Sequence, residues 1–311
     1  MHPIRIKFME LLHYFSYSWQ TGIWNNDNGH FVETVSFFCD QHGNAIGLNA
    51  LSHKLAKDVL TYPLKISTSN YAVAIQGNEG AISAYVYGYL SSKKGGALLF
   101  GGAMVLRCVQ LNHQWRISEV RMSLYWSKGQ NKLISHWANP PGENGWNIRD
   151  PLPSLVSEYE SVWALFPDSD LSESDEVQIG ELFSRYAWAL DQADWQLYAS
   201  VYCDDAQGDM QPIGYMEGKR NIVALNKGFR RPWPVMQHFG IPLEIKVSKD
   251  GKTATMLVGR IIPERSNDED GIPIYGAHYP FRLRRDTDGK WKFSWVQYVP
   301  GWFRHTETSD D

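Results

Sequence analysis

Apolar residues recur at three- and four-residue intervals in two stretches that lie far apart in the chain. Leu11, Leu12 and Phe15 mark the first, and Leu182, Phe183 and Tyr186 the second. Such spacing gives a helix one apolar face. A further helical pattern begins after Gly47 (LNALSHKLAKDVL) and again after Gly218 (NIVALNKGF). In the later stretch a short helix is predicted from Trp195 toward Tyr202, capped by Asp194. The apolar period then changes to two. AISAYVYGYL, AMVLRCVQL and WRISEVRMSLYW alternate in the first part of the chain, and TATMLVGRII, YPFRLRR and WKFSWVQYV in the second. NEG, NHQ, KDGK and DTDGK separate these runs as hairpin turns. Helices followed by an antiparallel meander predict an α+β architecture, twice over.

The two patterns are copies of one unit. FMELLHYFSYSWQTGIW, starting at Phe8, aligns without gaps on IGELFSRYAWALDQADW, starting at Ile179, an offset of 171 residues (179 − 8). The same offset puts Gly43 on Gly214, Gly47 on Gly218, Gly80 on Gly251 and Gly88 on Gly259. Near the end of each copy the offset becomes 176 (291 − 115), where Trp115, Ser118, Val120 and Trp126 meet Trp291, Ser294, Val296 and Trp302. The division expected is a first domain over 1–138, a linker with a short helix over 139–173, a second domain over 174–305 and a tail over 306–311. Pro, Gly and the acidic run PDSDLSESDE mark the linker, with LVSEYESVWALF as its helix.

Composition narrows the class. The chain has 311 residues and a formal net charge of −4, which gives no basic footprint for nucleic acid. Aromatic residues make up 14%, enough for a thick core or for the walls of an apolar cavity. Cys39, Cys108 and Cys203 are odd in number and widely spaced, and read as reduced thiols of a cytoplasmic protein. MHPIRIKFMELLHYFSYSW reads as the first helix and not as a leader, and no apolar run is long enough for a membrane span.

The run RYAWALDQADWQLYASVYCDDA, then GYMEGKRNI, then His238 just ahead of the strands, resembles the SnoaL-like branch of the NTF2-like superfamily. The first copy resembles it only through the repeat. The resemblance implies two cones, each with about three helices packed in a strongly curved antiparallel sheet that leaves an apolar cavity. It also implies sheet-to-sheet pairing, here as an intramolecular pseudo-dimer of the two domains and, further, a homodimer. Carried over, Tyr186, Asp191 and His238 would be the catalytic residues of a dehydratase. Tyr186 would hydrogen-bond a substrate oxygen, His238 would move a proton, and Asp191 would orient the imidazole or act as base.

Each of the three also has a plain structural reading: a core aromatic, a helix-end brace and a strand-edge histidine. The first copy bears on the choice. At the common offset Tyr186 falls on Phe15, Asp191 on Gln20 and His238 on Ser67, so the acid–base groups are confined to the second copy. Trp195, Arg260, His278 and Tyr298 are candidate substrate-binding residues. Arg260 shares an alternating face with Met256 and Val258, as an anion anchor or as the partner of an acid at a cavity mouth. No phosphate-binding glycine loop, nucleophile elbow or metal-ligand spacing occurs, so the expected enzyme needs no cofactor and no metal. The readings carried forward are a cofactor-independent lyase or isomerase acting on a small hydrophobic hydroxy-carbonyl compound, a non-catalytic binder of a small apolar ligand, and a structural subunit.

Overall fold

The computed structural model describes residues 1–25, 29–92, 96–141, 149–150, 152–233, 235–262 and 267–304. It divides into two compact units, Met1–Ser172 and Glu173–Asp311. The expected tail, 306–311, lies outside the described residues, as does 142–148 of the expected linker.

The first unit opens with α1 (Pro3–Thr21), whose apolar face buries Phe8, Leu11, Leu12, Phe15 and Trp19. Gly22, at φ 71, ends the helix by donating its N–H to the Ser18 carbonyl. There follow β1 (Phe31–Cys39), β2 (Ala45–Ile46), α2 (Leu48–Thr61), β3 (Leu64–Gln76), β4 (Glu79–Ser91), β5 (Ala97–Leu111) and β6 (Gln114–Gly129). The sheet order is β2-β1-β6-β5-β4-β3. The β5–β6 hairpin turns on Asn112 and His113, both at positive φ. The segment expected as linker does not stand apart. In place of one helix it forms two short turns, α3 (Ser157–Glu160) and α4 (Val162–Leu165). Leu155, Val162 and Phe166 are buried, and Asp170 N–H donates to the Ile75 carbonyl at the end of β3 at 2.9 Å.

The second unit repeats the order with α5 (Asp175–Asp191), α6 (Trp195–Ser200), β7 (Tyr202–Met210), β8 (Gly214–Glu217), α7 (Lys219–Arg230), β9 (Gly240–Val247), β10 (Thr253–Arg260), β11 (Ile274–Arg285) and β12 (Trp291–Arg304). Its sheet order, β8-β7-β12-β11-β10-β9, matches the first. Each unit is therefore an α+β fold around one six-stranded sheet. The sheets are mixed where wholly antiparallel ones were expected: β1 runs parallel to β6, and β7 to β12. A chain that passes through a helix between paired strands can return in the same direction, which a tight hairpin forbids. Among the described residues the first unit has no counterpart of α6 between α1 and β1.

The repeat glycines have a physical reason at Gly47 and Gly218. Both precede a helix, α2 and α7, at φ 85 and φ 81. That left-handed entry disfavours a side chain. The alternating runs predicted as strands lie within β4, β5, β6, β11 and β12, and TATMLVGRII runs two residues past the end of β10. The remaining strands, β1–β3 and β7–β9, carry no clean alternation. VYCDDA, for example, turns both Asp204 and Asp205 to solvent. Register shifts within β3–β4, β9–β10 and β11–β12 interrupt the pleat and bend these strands.

Candidate active site of the second unit

The site is built where α5 stops. The helix ends at Asp191, Ala193 takes φ 57, and Asp194 starts α6 by accepting the Leu197 N–H at 2.9 Å. The carbonyls left over at a helix end need donors. Arg230, the last residue of α7, supplies them: Nη2 donates to the Asp191 carbonyl at 2.9 Å and Nε to the Leu190 carbonyl at 3.3 Å. The same guanidinium also bonds the Trp233 carbonyl, in the segment that leads to His238. Arg230 thus ties the helix end to the strand-entry segment. Sequence reasoning missed it, because its role depends on a tertiary crossing.

Asp191 accepts twice from His238. Its Oδ2 takes the backbone N–H at 2.7 Å, and its Oδ1 meets ring Nδ1 at 2.5 Å. Both residues are buried. A carboxylate can only accept, so Nδ1 carries the proton and the lone pair of the neutral ring sits on Nε2. Two residues on, Gly240 opens β9. A Cβ there would lie 2.7 Å from the Phe183 ring, so glycine is what lets the strand pass close to α5 at this point.

Tyr186 lies one turn earlier on α5 and is fully buried. Its ring is 6.5 Å from that of His238, 5.5 Å from Tyr198 and 6.4 Å from Tyr279. Its hydroxyl makes no hydrogen bond of normal geometry, though the neighbouring Tyr198 hydroxyl, which accepts from Tyr202 at 2.8 Å, interacts with it. Burial, reinforced by the surrounding tyrosines, holds the Tyr186 phenol well above its ordinary value. It is therefore a neutral O–H donor.

The structure thus brings Tyr186, Asp191 and His238 together. Tyr279 joins them: its ring is 6.4 Å from His238 and 5.1 Å from Tyr298. Its place in the alternation Tyr279, Phe281, Leu283 was the signal that could have found it. Tyr298 shares that face. Arg260 also faces inward, continuing Ala254, Met256 and Val258 along β10. Burial pushes the Tyr279 phenol up, and the positive charge of Arg260 acts against that rise. Trp195 packs edge-on against Tyr198 at 5.9 Å. His278 is not brought in. It alternates with Tyr279 and lies on the other face of β11, against Phe303 at 4.5 Å.

The first unit holds something different in the equivalent place. Gln20, the counterpart of Asp191, accepts the Ile66 N–H of β3 at 2.9 Å. Next to it, the buried Asp58 carboxylate accepts four bonds. Oδ2 takes Trp19 Nε1 at 2.7 Å and His42 Nε2 at 2.9 Å, while Oδ1 takes Trp137 Nε1 and His136 Nε2, both at 2.7 Å. Cys39 Sγ lies 3.3 Å from His42 Nδ1. Burial opposes the charged imidazole, but the Asp58 charge, with Cys39 and both hydrogen bonds, outweighs it and pushes His42 up to about 10. The rings of Trp19, His42, Phe100 and Trp137 pack around this knot. A cavity of about 220 Å³ in the first unit, lined among others by Glu79, Arg107, Glu119 and Phe166, shares no residue with it.

The family model described as a SnoaL-like domain matches residues 172–296, so the second unit is a SnoaL-like domain. Among curated proteins none matches the chain. Similar solved structures include a candidate scytalone dehydratase from Novosphingobium aromaticivorans, 16% identical over 45% of this chain and 95% of its own, with a TM-score of 0.38. A hexachlorocyclohexane dehydrochlorinase is 11% identical over 40% of this chain and 88% of its own, at 0.36. An NTF2-like protein with a cystatin-like fold from Novosphingobium aromaticivorans is 22% identical over 40% and 81%, at 0.31.

Proposed function

We propose that the second unit is an acid–base lyase or isomerase acting on a small hydrophobic hydroxy-carbonyl compound. The observation that carries this is the buried Asp191–His238 pair beside a tyrosine hydroxyl that makes no hydrogen bond of normal geometry. Leaving a buried donor unpaired costs about 1–3 kcal/mol, and such groups concentrate where a ligand completes them. Asp191 holds the tautomer in which Nε2 is the base. His238 removes the proton from the carbon next to the substrate carbonyl, and Tyr186 donates a hydrogen bond to the carbonyl oxygen as charge develops there. In a dehydration the same proton passes to the β-hydroxyl. The C–O bond breaks, water leaves and a C=C bond remains. In an isomerisation the proton returns to another carbon. Every step uses one proton and no external electron.

The test is His238→Ala in the full chain, assayed against β-hydroxy carbonyl compounds by the absorbance of the conjugated product. Turnover should fall by about 10² or more, in line with the contribution of a positioned base, with the circular dichroism spectrum retained. Wild-type turnover in that variant overturns the reading. A non-catalytic, ligand-binding role is favoured by one observation, the density of rings on Tyr186: Phe183, Tyr198, Tyr202, Tyr279, Phe281 and Phe293 all lie within 6.5 Å. Under that reading His238→Ala changes affinity and there is no turnover to lose.

A further inference from the structure

We infer that the compound taken by the second unit carries a carboxylate, and that Arg260 binds it. This rests on the site proposed above, though not on its chemistry.

Arg260 stands on the inner face of β10, in line with the buried Ala254, Met256 and Val258. Its register partners are Gly240 on β9 and Ala277 on β11. One has no side chain and the other has a methyl group, so the guanidinium is not crowded by its cross-strand neighbours. Gly240 is two residues from His238, which sets the cation beside the dyad along the same strand entry. Its charge acts on the Tyr279 phenol, and the Tyr298 ring lies 5.1 Å from that of Tyr279.

An arginine on an apolar face is normally paired with an acid. Arg260 makes no ion pair and donates no side-chain hydrogen bond among the described residues, whereas Arg284 and Arg285 of the neighbouring strand each hold an aspartate. The acid within the site, Asp191, is committed to the backbone and the ring of His238. Of the two roles the sequence left open for Arg260, partner of a protein acid or anchor for an anion, the geometry leaves the second. A guanidinium presents a planar fork of donors that matches a carboxylate. These tyrosine rings suit an aromatic or cyclic body attached to it.

The experiment is calorimetric titration of the full chain with benzoate and with benzamide, which differ in charge but hardly in shape. Benzoate should bind at least tenfold more tightly. Arg260→Gln should remove that preference and leave benzamide binding unchanged, and Arg260→Lys should restore part of it, with circular dichroism confirming the fold of each variant. Equal affinities, no benzoate binding to the wild type, or an Arg260→Gln variant that still prefers benzoate would overturn the anchor and leave the acid–base reading standing. A charge preference that Arg260→Gln abolishes, in a chain without turnover, would sustain the anchor and sink the chemistry.

Discussion

At the scale of single residues, the copies separate what the fold needs from what chemistry needs. Gln20 and Asp191, matched by the repeat, each accept a backbone N–H from the chain around the first strand of the meander. A neutral amide is thus sufficient for the brace, and the charge of Asp191 is spare for the imidazole. Asp191→Asn should keep the fold, with a melting temperature near that of the wild type, while turnover falls by about 10² or more because the imidazole loses its orienting anion. Tyr186 is matched by Phe15, which is equally buried. Tyr186→Phe should therefore stabilise the chain by about 1 kcal/mol, since it deletes an unsatisfied hydroxyl, and should lower turnover. Urea unfolding together with an activity assay checks both signs. A loss of stability would show that the hydroxyl is satisfied in solution.

At the scale of elements, each unit fastens its helices with a buried polar group of its own. In the second unit Arg230 joins the end of α5 to the segment before β9. In the first, Asp58 on α2 gathers Trp19 of α1 with His42, His136 and Trp137. That knot gives the first unit a defined pH dependence. The folded-state value of His42 is raised from 6.5 to about 10, so its stabilisation is complete below 6.5 and is lost as pH climbs toward 10. Asp58 is opposed by burial but lowered by His42, His136 and Trp137, so its contribution is present above 3.8 and is lost as pH falls below that. Denaturant unfolding followed by tryptophan fluorescence should show the first unit weakening through the alkaline range. His42→Gln should flatten that slope, and an unchanged slope would remove His42 as its cause.

At the scale of the whole molecule, one scaffold is used in two ways. The first unit fills the end of α1 with indole and imidazole rings around a satisfied carboxylate, while the second keeps a dyad and an unsatisfied donor there. Asp58→Asn should cost about 3 kcal/mol, the order expected when one partner of a buried pair is removed, yet leave KM unchanged for any substrate turned over at His238. A KM that rises in that variant would place the first unit in the chemistry.

The repeat, the main helices and the alternating strands were legible in the sequence, and Tyr186, Asp191 and His238 were singled out by the family resemblance. The first three rest on local periodicity and on glycines that a backbone angle demands. Linker turns, the remaining strands and the parallel pairs were not legible, because their residues are specified by neighbours remote in the chain. The tertiary structure alone decided that Arg230 clamps the helix end, that Tyr279 joins the site and His278 turns away from it, and that Asp58 draws four donors from three separate segments. Each of these follows from which strand or helix crosses which, and hydrogen bonds between groups 16 to 79 residues apart leave no periodic trace for a sequence to show.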